Sequence, residues 1–355
     1  MSDLITLHIE LSGLWHPVLA MPMEEIQVLT LRPHKWLRFM GYCIYGARGR
    51  LQSSPQGISE VNPLETTTFS TDYYYVSGKP GRFIDIDAIN DRISDSNLSS
   101  RSTQFRKEVV ARDSKCIVIQ SEPMHCTACH IIPHSKGDEY IKLLSLYRGI
   151  TPPITEIRDV RNGILLYAGF HIALGAGQIA FLLTGAKNPY LDVSDVPGCQ
   201  DSTAPHRLIL QHIETLGPPY DTIARNNTDA RFASASNGPK PELLHFFYAC
   251  AVIRRWGLDV KATQHPLREK GIWSRYYDGD RSSDKEDDTE DPGMRRGPEP
   301  AQGGRSAARQ PGAAMTGGHS RSLGDVMDLL MPFTVCDPPE TRHGAIVQWL
   351  KEITL

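Results

Sequence analysis

The chain has 355 residues, which at about 150 residues per domain predicts roughly two domains. Its hydrophobic content of 40% excludes a small scaffold that depends on disulfides. Its net charge of −3 excludes a uniformly basic nucleic-acid coat.

Residues 1–100 alternate short apolar runs with turn signals and predict an α+β or mainly β module. Examples are Ile26 to Leu31 and Tyr73 to Val76, the latter followed by Ser77-Gly-Lys-Pro-Gly81. The opening stretch, Met1 to Ala20, has no basic leader and does not look like a secretory signal. Asp85 to Ile93 has helical spacing, and a Ser-rich joint, Ser94 to Thr103, leads to a basic amphipathic helix at Phe105 to Arg112.

The window Gly163 to Ala186 has no charged residue and is long enough to span a bilayer. Its apolar residues come in two short bursts around a Gly-rich centre, which favours strand, turn and strand in a core. The same window contains Gly175-Ala-Gly177-Gln-Ile-Ala180, the outline of a dinucleotide loop. Such a loop needs a helix after it, with its amides on the pyrophosphate. Gln178 to Leu183 has strand character instead, so a turn is expected there.

Further on, Leu208 to Ile213 and Leu243 to Trp256 are predicted as helices, the second apolar on nearly every side and central to a core. Asp278 to Asp291 has a local balance of −6, and Asp278 to Ser322 contains no Ile, Leu, Val, Phe, Tyr or Trp. Such a stretch cannot offset its ordering entropy by burial and is expected to be disordered. Helices are expected at Leu323 to Leu330 and Gly344 to Leu355. The seven scattered cysteines make no disulfide framework, which favours an intracellular setting, nucleus or cytoplasm.

The densest chemistry lies between Cys116 and His171. His130 heads a short β-type run closed by Pro133. Asn162-Gly163 begins a second β run, and His171 follows nine residues after that Asn, in a short Gly-bounded turn of helix. A neutral imidazole with a pKa near working pH is the natural base for a hydrolytic water, which makes His130 the candidate base. Taken alone, each residue has a plainer role: His130 a strand-capping His, Asn162-Gly163 a turn, His171 a core His. Arg101, Arg106, Lys107, Arg112 and Lys115 precede this region and Lys136 lies within it, so Arg112 and Lys136 are candidate phosphate contacts.

These blocks resemble the HNH endonucleases, and their phrasing is similar to the fungal branch. The blocks are Arg112 to Cys116, His130 to Ile141, Asp159 to Leu166 and Ala180 to Leu182, within a resemblance that runs from Phe105 to about Asp195. The resemblance implies a ββα-metal (His-Me finger) core, making the whole chain α+β. It implies a nuclease acting on nucleic acid, DNA above all, with one divalent metal ion: Mg, Mn, Ni or Zn. By the same resemblance His130 activates water, Asn162 positions it and His171 holds the ion. Many members place a metal ligand just before the base, where this chain has Cys129. Cys129 is therefore a candidate ligand, and Cys126-x-x-Cys129 with Cys116 could alternatively hold structural Zn.

The expected organisation is an N-terminal α+β module at 1–100 and an HNH-like core at 101–198. A helical extension follows at 199–277, then the disordered linker at 278–322 and a helical segment at 323–355. The alternative function is a nucleic-acid-binding or regulatory module with this fold and little cleavage.

Overall fold

The computed structural model describes residues 4–258 apart from 12, 58–59, 67–68, 80, 82, 90–101, 219 and 234–237. The expected linker at 278–322, the two helices beyond it and Arg101 lie outside the described residues.

The first sheet begins with β1 (Leu4–Leu11), whose alternation buries Ile5, Leu7, Ile9 and Leu11 on one face. It pairs antiparallel with β2 (Leu14–Pro22). Two helices follow, α1 (Met23–Leu29) and α2 (Pro33–Tyr45). The second starts with Pro at its first turn and ends on Gly46 at φ 79°, a left-handed stop that glycine adopts without a Cβ penalty. β3 (Arg50–Gln52) and β4 (Asp72–Val76) complete a four-stranded sheet in the order β2-β1-β4-β3, with β1 and β4 parallel. The apolar run Ile26 to Leu31 is therefore mostly helical, and Asp85 to Ile93 contributes a short 3-10 turn at Ile86–Ile89.

α3 (Ser102–Asp113) realises the basic helix expected there. A two-stranded antiparallel pair follows, β5 (Cys126–His130) and β6 (Gly163–Tyr167), with α4 (Gly137–Arg148) inside the connection. α5 (Ala168–Gly175) then leads to β7 (Ile179–Gly185). The uncharged window is thus strand, short helix and strand, and no described helix is long and apolar enough to cross a membrane. Gly175-Ala-Gly177 joins α5 to β7, a helix-to-strand passage opposite to what a dinucleotide loop requires.

Leu208 to Ile213 corrects the helical expectation. It forms β8 (His206–His212), the centre of the sheet β7-β8-β9, with β9 at Thr228–Ala230. Its central residues are buried on both faces, so it lacks the alternation that marks a half-exposed strand. A four-residue helix, α6 (Tyr220–Ile223), lies between these strands.

α7 (Pro241–Trp256) is buried from Leu243 through Ile253 and packs against α2, β2 and β7. The buried apolar residues form one cluster that runs from β1 to α7. A polar chain crosses it: Trp36 Nε1 donates to Tyr248 Oη, Tyr248 donates to Gln211 Oε1, and Gln211 Nε2 donates to the Leu29 carbonyl. These bonds satisfy groups that would otherwise be buried at a cost.

Candidate active site

The site is built on the pairing of His130 with Gly163, the last residue of β5 opposite the first of β6. A Cβ at Gly163 would lie 2.7 Å from Phe105 and 2.8 Å from Val109, so only glycine lets α3 press against this end of the hairpin. That approach lays the Phe105 ring on the His130 imidazole, with centroids 4.0 Å apart and planes 4° from parallel. The His134 ring stands 5.5 Å from His130, tilted by 58°. His130 itself is half-buried.

Asn162 is fully buried and sits in a 3-10 turn, Val160–Asn162, that feeds β6. Its carboxamide Oδ1 accepts from the Ile132 N–H at 2.8 Å. Its Nδ2 donates to the carbonyls of Ile132 at 3.1 Å and Ile157 at 2.9 Å. Its own carbonyl accepts from the Ile131 N–H at 2.8 Å. The two residues that leave His130 are thereby fixed by the residue that precedes Gly163.

The turn that carries Asn162 is itself held. Asp159 caps it by accepting from the Arg161 N–H. Burial pushes the Asp159 carboxyl up, but the hydrogen bonds from Arg161 outweigh this and hold it below the usual carboxylate range. Arg112 donates to the carbonyls of Val160 and Gly163, both at 2.7 Å, and grips Asp113 through two nitrogens. Asp113 in turn accepts from the Leu165 N–H.

That geometry corrects the expectation for Arg112. The residue is 7% exposed and its guanidinium ties α3 to β6, so it is not a free phosphate contact. Lys136 is likewise 7% exposed, in the turn before α4, with its ammonium 6.0 Å from the Tyr140 ring centre. Neither presents an open cation. Arg106 is also engaged, donating to the carbonyls of Cys126 and Pro123 and so pinning α3 to the start of β5.

His171 lies half-buried on α5, between fully buried Phe170 and half-exposed Ile172. α5 packs against both β5 and β6. Cys129 is fully buried, its thiol donates to the Thr127 carbonyl, and strand alternation puts it on the pleat face opposite His130. Cys116 is fully buried and accepts the Tyr167 N–H, while the Cys126 thiol contacts Ser121 and the Glu122 carbonyl. Among the described residues no group of three or more His, Cys, Asp or Glu could hold a metal ion. The three thiols of Cys116, Cys126 and Cys129 thus do not fit a zinc site.

Phe105, Gly163 and His134 were not singled out as site residues by their types. Phe105 opens the basic helix and His134 sits inside the His130 to Ile141 block, so their positions in the motif were the available signal.

Residues 116–182 match the family model described as HNH endonuclease. No curated protein and no solved structure matches the chain. The chain is a mixture of helices and sheets that contains an HNH domain, and this domain points to a nuclease-type function on nucleic acid.

Proposed function

We propose that the chain hydrolyses phosphodiester bonds of nucleic acid, DNA above all, with His130 as the general base and Asn162 as the residue that positions it. The carrying observation is the clip that Asn162 makes on Ile131 and Ile132, immediately after His130, inside the stretch that matches the HNH endonuclease family. In this reading the neutral His130 imidazole takes a proton from water, the oxygen attacks phosphorus and the bond to the leaving sugar oxygen breaks. A fixed backbone on either side of the base lowers the cost of reaching the reactive geometry.

Dependence on one divalent ion, with His171 the half-exposed candidate ligand, belongs to the proposal. A bound ion would stabilise charge on the phosphoryl oxygens, and with no group of three or more His, Cys, Asp or Glu among the described residues, any such ion would rest on fewer protein ligands. The resemblance to the fungal branch and the scattered spacing of the seven cysteines, which makes no disulfide framework, support an intracellular enzyme of that kind.

A second reading, an HNH-fold binding module with little cleavage, is favoured by one observation. The His130 ring is covered on one face by Phe105 and its Nε2 atom is buried. Nicking of supercoiled plasmid with Mg, Mn, Ni or Zn separates the two. Under the first, His130→Ala abolishes nicking and leaves the fold intact. Under the second, the wild-type protein binds DNA and nicks with none of the ions.

A further inference from the structure

The cations around the HNH core are largely engaged, yet a different part of the molecule presents open ones. A cleft of about 530 Å³ is lined by Arg38, Arg48, Arg50, Ser77, Gly78 and Tyr190 among others. None of these residues belongs to the His130 site. Arg48 and Arg50 are exposed, and no carboxylate pairs with either among the described residues. Arg38 carries one partner, Glu60, at 2.7 Å. Exposed Lys79 and Lys187 flank lining positions along the chain.

The turn that presents these arginines is fixed from behind. The Arg38 Nε donates to the Gly49 carbonyl at 2.8 Å while its guanidinium lies 4.6 Å over the Tyr190 ring. Tyr190 Oη accepts the Gly49 N–H and also donates to the Gly49 carbonyl. Tyr75 Oη holds the Ala47 carbonyl at 2.7 Å, and Ser77 Oγ holds the Arg48 carbonyl at 2.8 Å. A Cβ at Gly49 would lie 2.3 Å from the Val76 carbonyl, so glycine is what lets the turn seat against β4. An exposed turn would ordinarily be mobile. Here the backbone of Ala47, Arg48 and Gly49 is tied down, with exposed Arg48 within it and exposed Arg50 directly after it, at the start of β3. Guanidinium forks match phosphate oxygens in shape and charge, and a backbone already fixed beneath them lowers the ordering cost of binding.

We propose that this cleft binds a phosphate-bearing ligand of about nucleotide size, since small-molecule sites span about 300–1,000 Å³. The phosphate can come from a free nucleotide or from the backbone of a nucleic-acid strand.

The test uses the full chain, wild type and Arg48→Gln/Arg50→Gln, with three probes: inorganic pyrophosphate, a nucleoside diphosphate and a short fluorescein-labelled single-stranded DNA. Binding is followed by calorimetry and fluorescence anisotropy at about 50 and about 200 mM salt. Both positions are exposed, so the double variant is expected to keep the wild-type melting temperature. The expected result is that at least one probe binds and that the double variant weakens it by about tenfold or more, as loss of charge-assisted hydrogen bonds does. Binding of the two small anions alone assigns the free-nucleotide source. Binding of the strand with a salt slope reduced by about 1.4 in the variant assigns the backbone source. His130→Ala is expected to bind like wild type, so a failure of the nuclease reading leaves this result standing. No binding by any probe, or equal binding by the double variant, overturns the proposal.

Discussion

Asn162 closes both backbone groups of Ile132 with one carboxamide, accepting from its N–H at 2.8 Å and donating to its carbonyl at 3.1 Å. The geometry is that of a strand pair made by a side chain, and it occurs two residues beyond His130. Asn162→Asp keeps the acceptor, loses both donations and turns a carboxylate toward two carbonyls. Each buried group left unmatched costs about 1–3 kcal/mol, so with two carbonyls unmatched a loss of about 2–6 kcal/mol in urea unfolding is expected. Asn162→Ala should lose a similar amount. If the residue also positions His130, variants stabilised by a second-site change still nick plasmid slowly.

Gly163→Ala forces Phe105 and Val109 away from the hairpin. Overpacking of this sort costs about 1–3 kcal/mol. Because Phe105 is one of the two clashing residues, Phe105→Ala combined with Gly163→Ala should cost less than the sum of the two alone, with a coupling of about 0.5 kcal/mol or more by a double-mutant cycle. Strict additivity would contradict the contact.

Arg112 and Asp113 form a buried pair, with side chains 5% and 0% exposed. Removing one partner leaves the other charged and buried, so Arg112→Gln or Asp113→Asn should cost about 3–5 kcal/mol in denaturant unfolding. Where enough folded Arg112→Gln remains, its salt slope for DNA binding should equal that of wild type. A shallower slope would return Arg112 to the list of phosphate contacts.

His245 on α7 is buried edge-on to Phe39, and burial, aided by the charge of Arg148, pushes its pKa down to about 3 from 6.5. The unfolded chain therefore takes this proton at a pH where the folded protein does not. Its contribution to stability is fully present above 6.5 and is lost as pH falls from there toward 3, at up to about 1.4 kcal/mol per unit. Burial shifts His34 and His212 down as well, which adds to the same acid slope. The Nε2 of His245 is buried without a hydrogen-bond partner. His245→Leu should thus leave neutral-pH stability unchanged or raised and flatten the urea-midpoint profile between about pH 6.5 and 4.5.

Sequence patterns revealed elements where one physical signal dominated. The long apolar run at 243–253 between Pro241 and Arg254-Arg255 could only be a buried helix, and α7 is one. Leu208 to Ile213 departs from its helical expectation because a short apolar run has no period that separates a buried strand from a helix turn. In Ile26 to Leu31 helical spacing buries Ile26 and Leu29, while Val28 and Leu31 are about half exposed. For Asn162 the resemblance implies a positioning role, whereas its partners, the Ile132 backbone and the Ile157 carbonyl, are visible only in the folded chain. Arg112 and Lys136 show the limit. Residue type discloses charge but not burial, and both cations are turned into the protein. Phe105 reaches His130 only through the gap left by Gly163, a packing relation between segments 58 residues apart in numbering that no local pattern carries.

The central claim is that the His130 imidazole does the proton transfer, and chemical rescue addresses it most directly. His130→Gly should nick supercoiled plasmid at a negligible rate and regain activity as free imidazole is added, with the recovered rate following the neutral base as pH is varied. A His130→Gly protein that nicks as fast as wild type without imidazole would contradict the assignment.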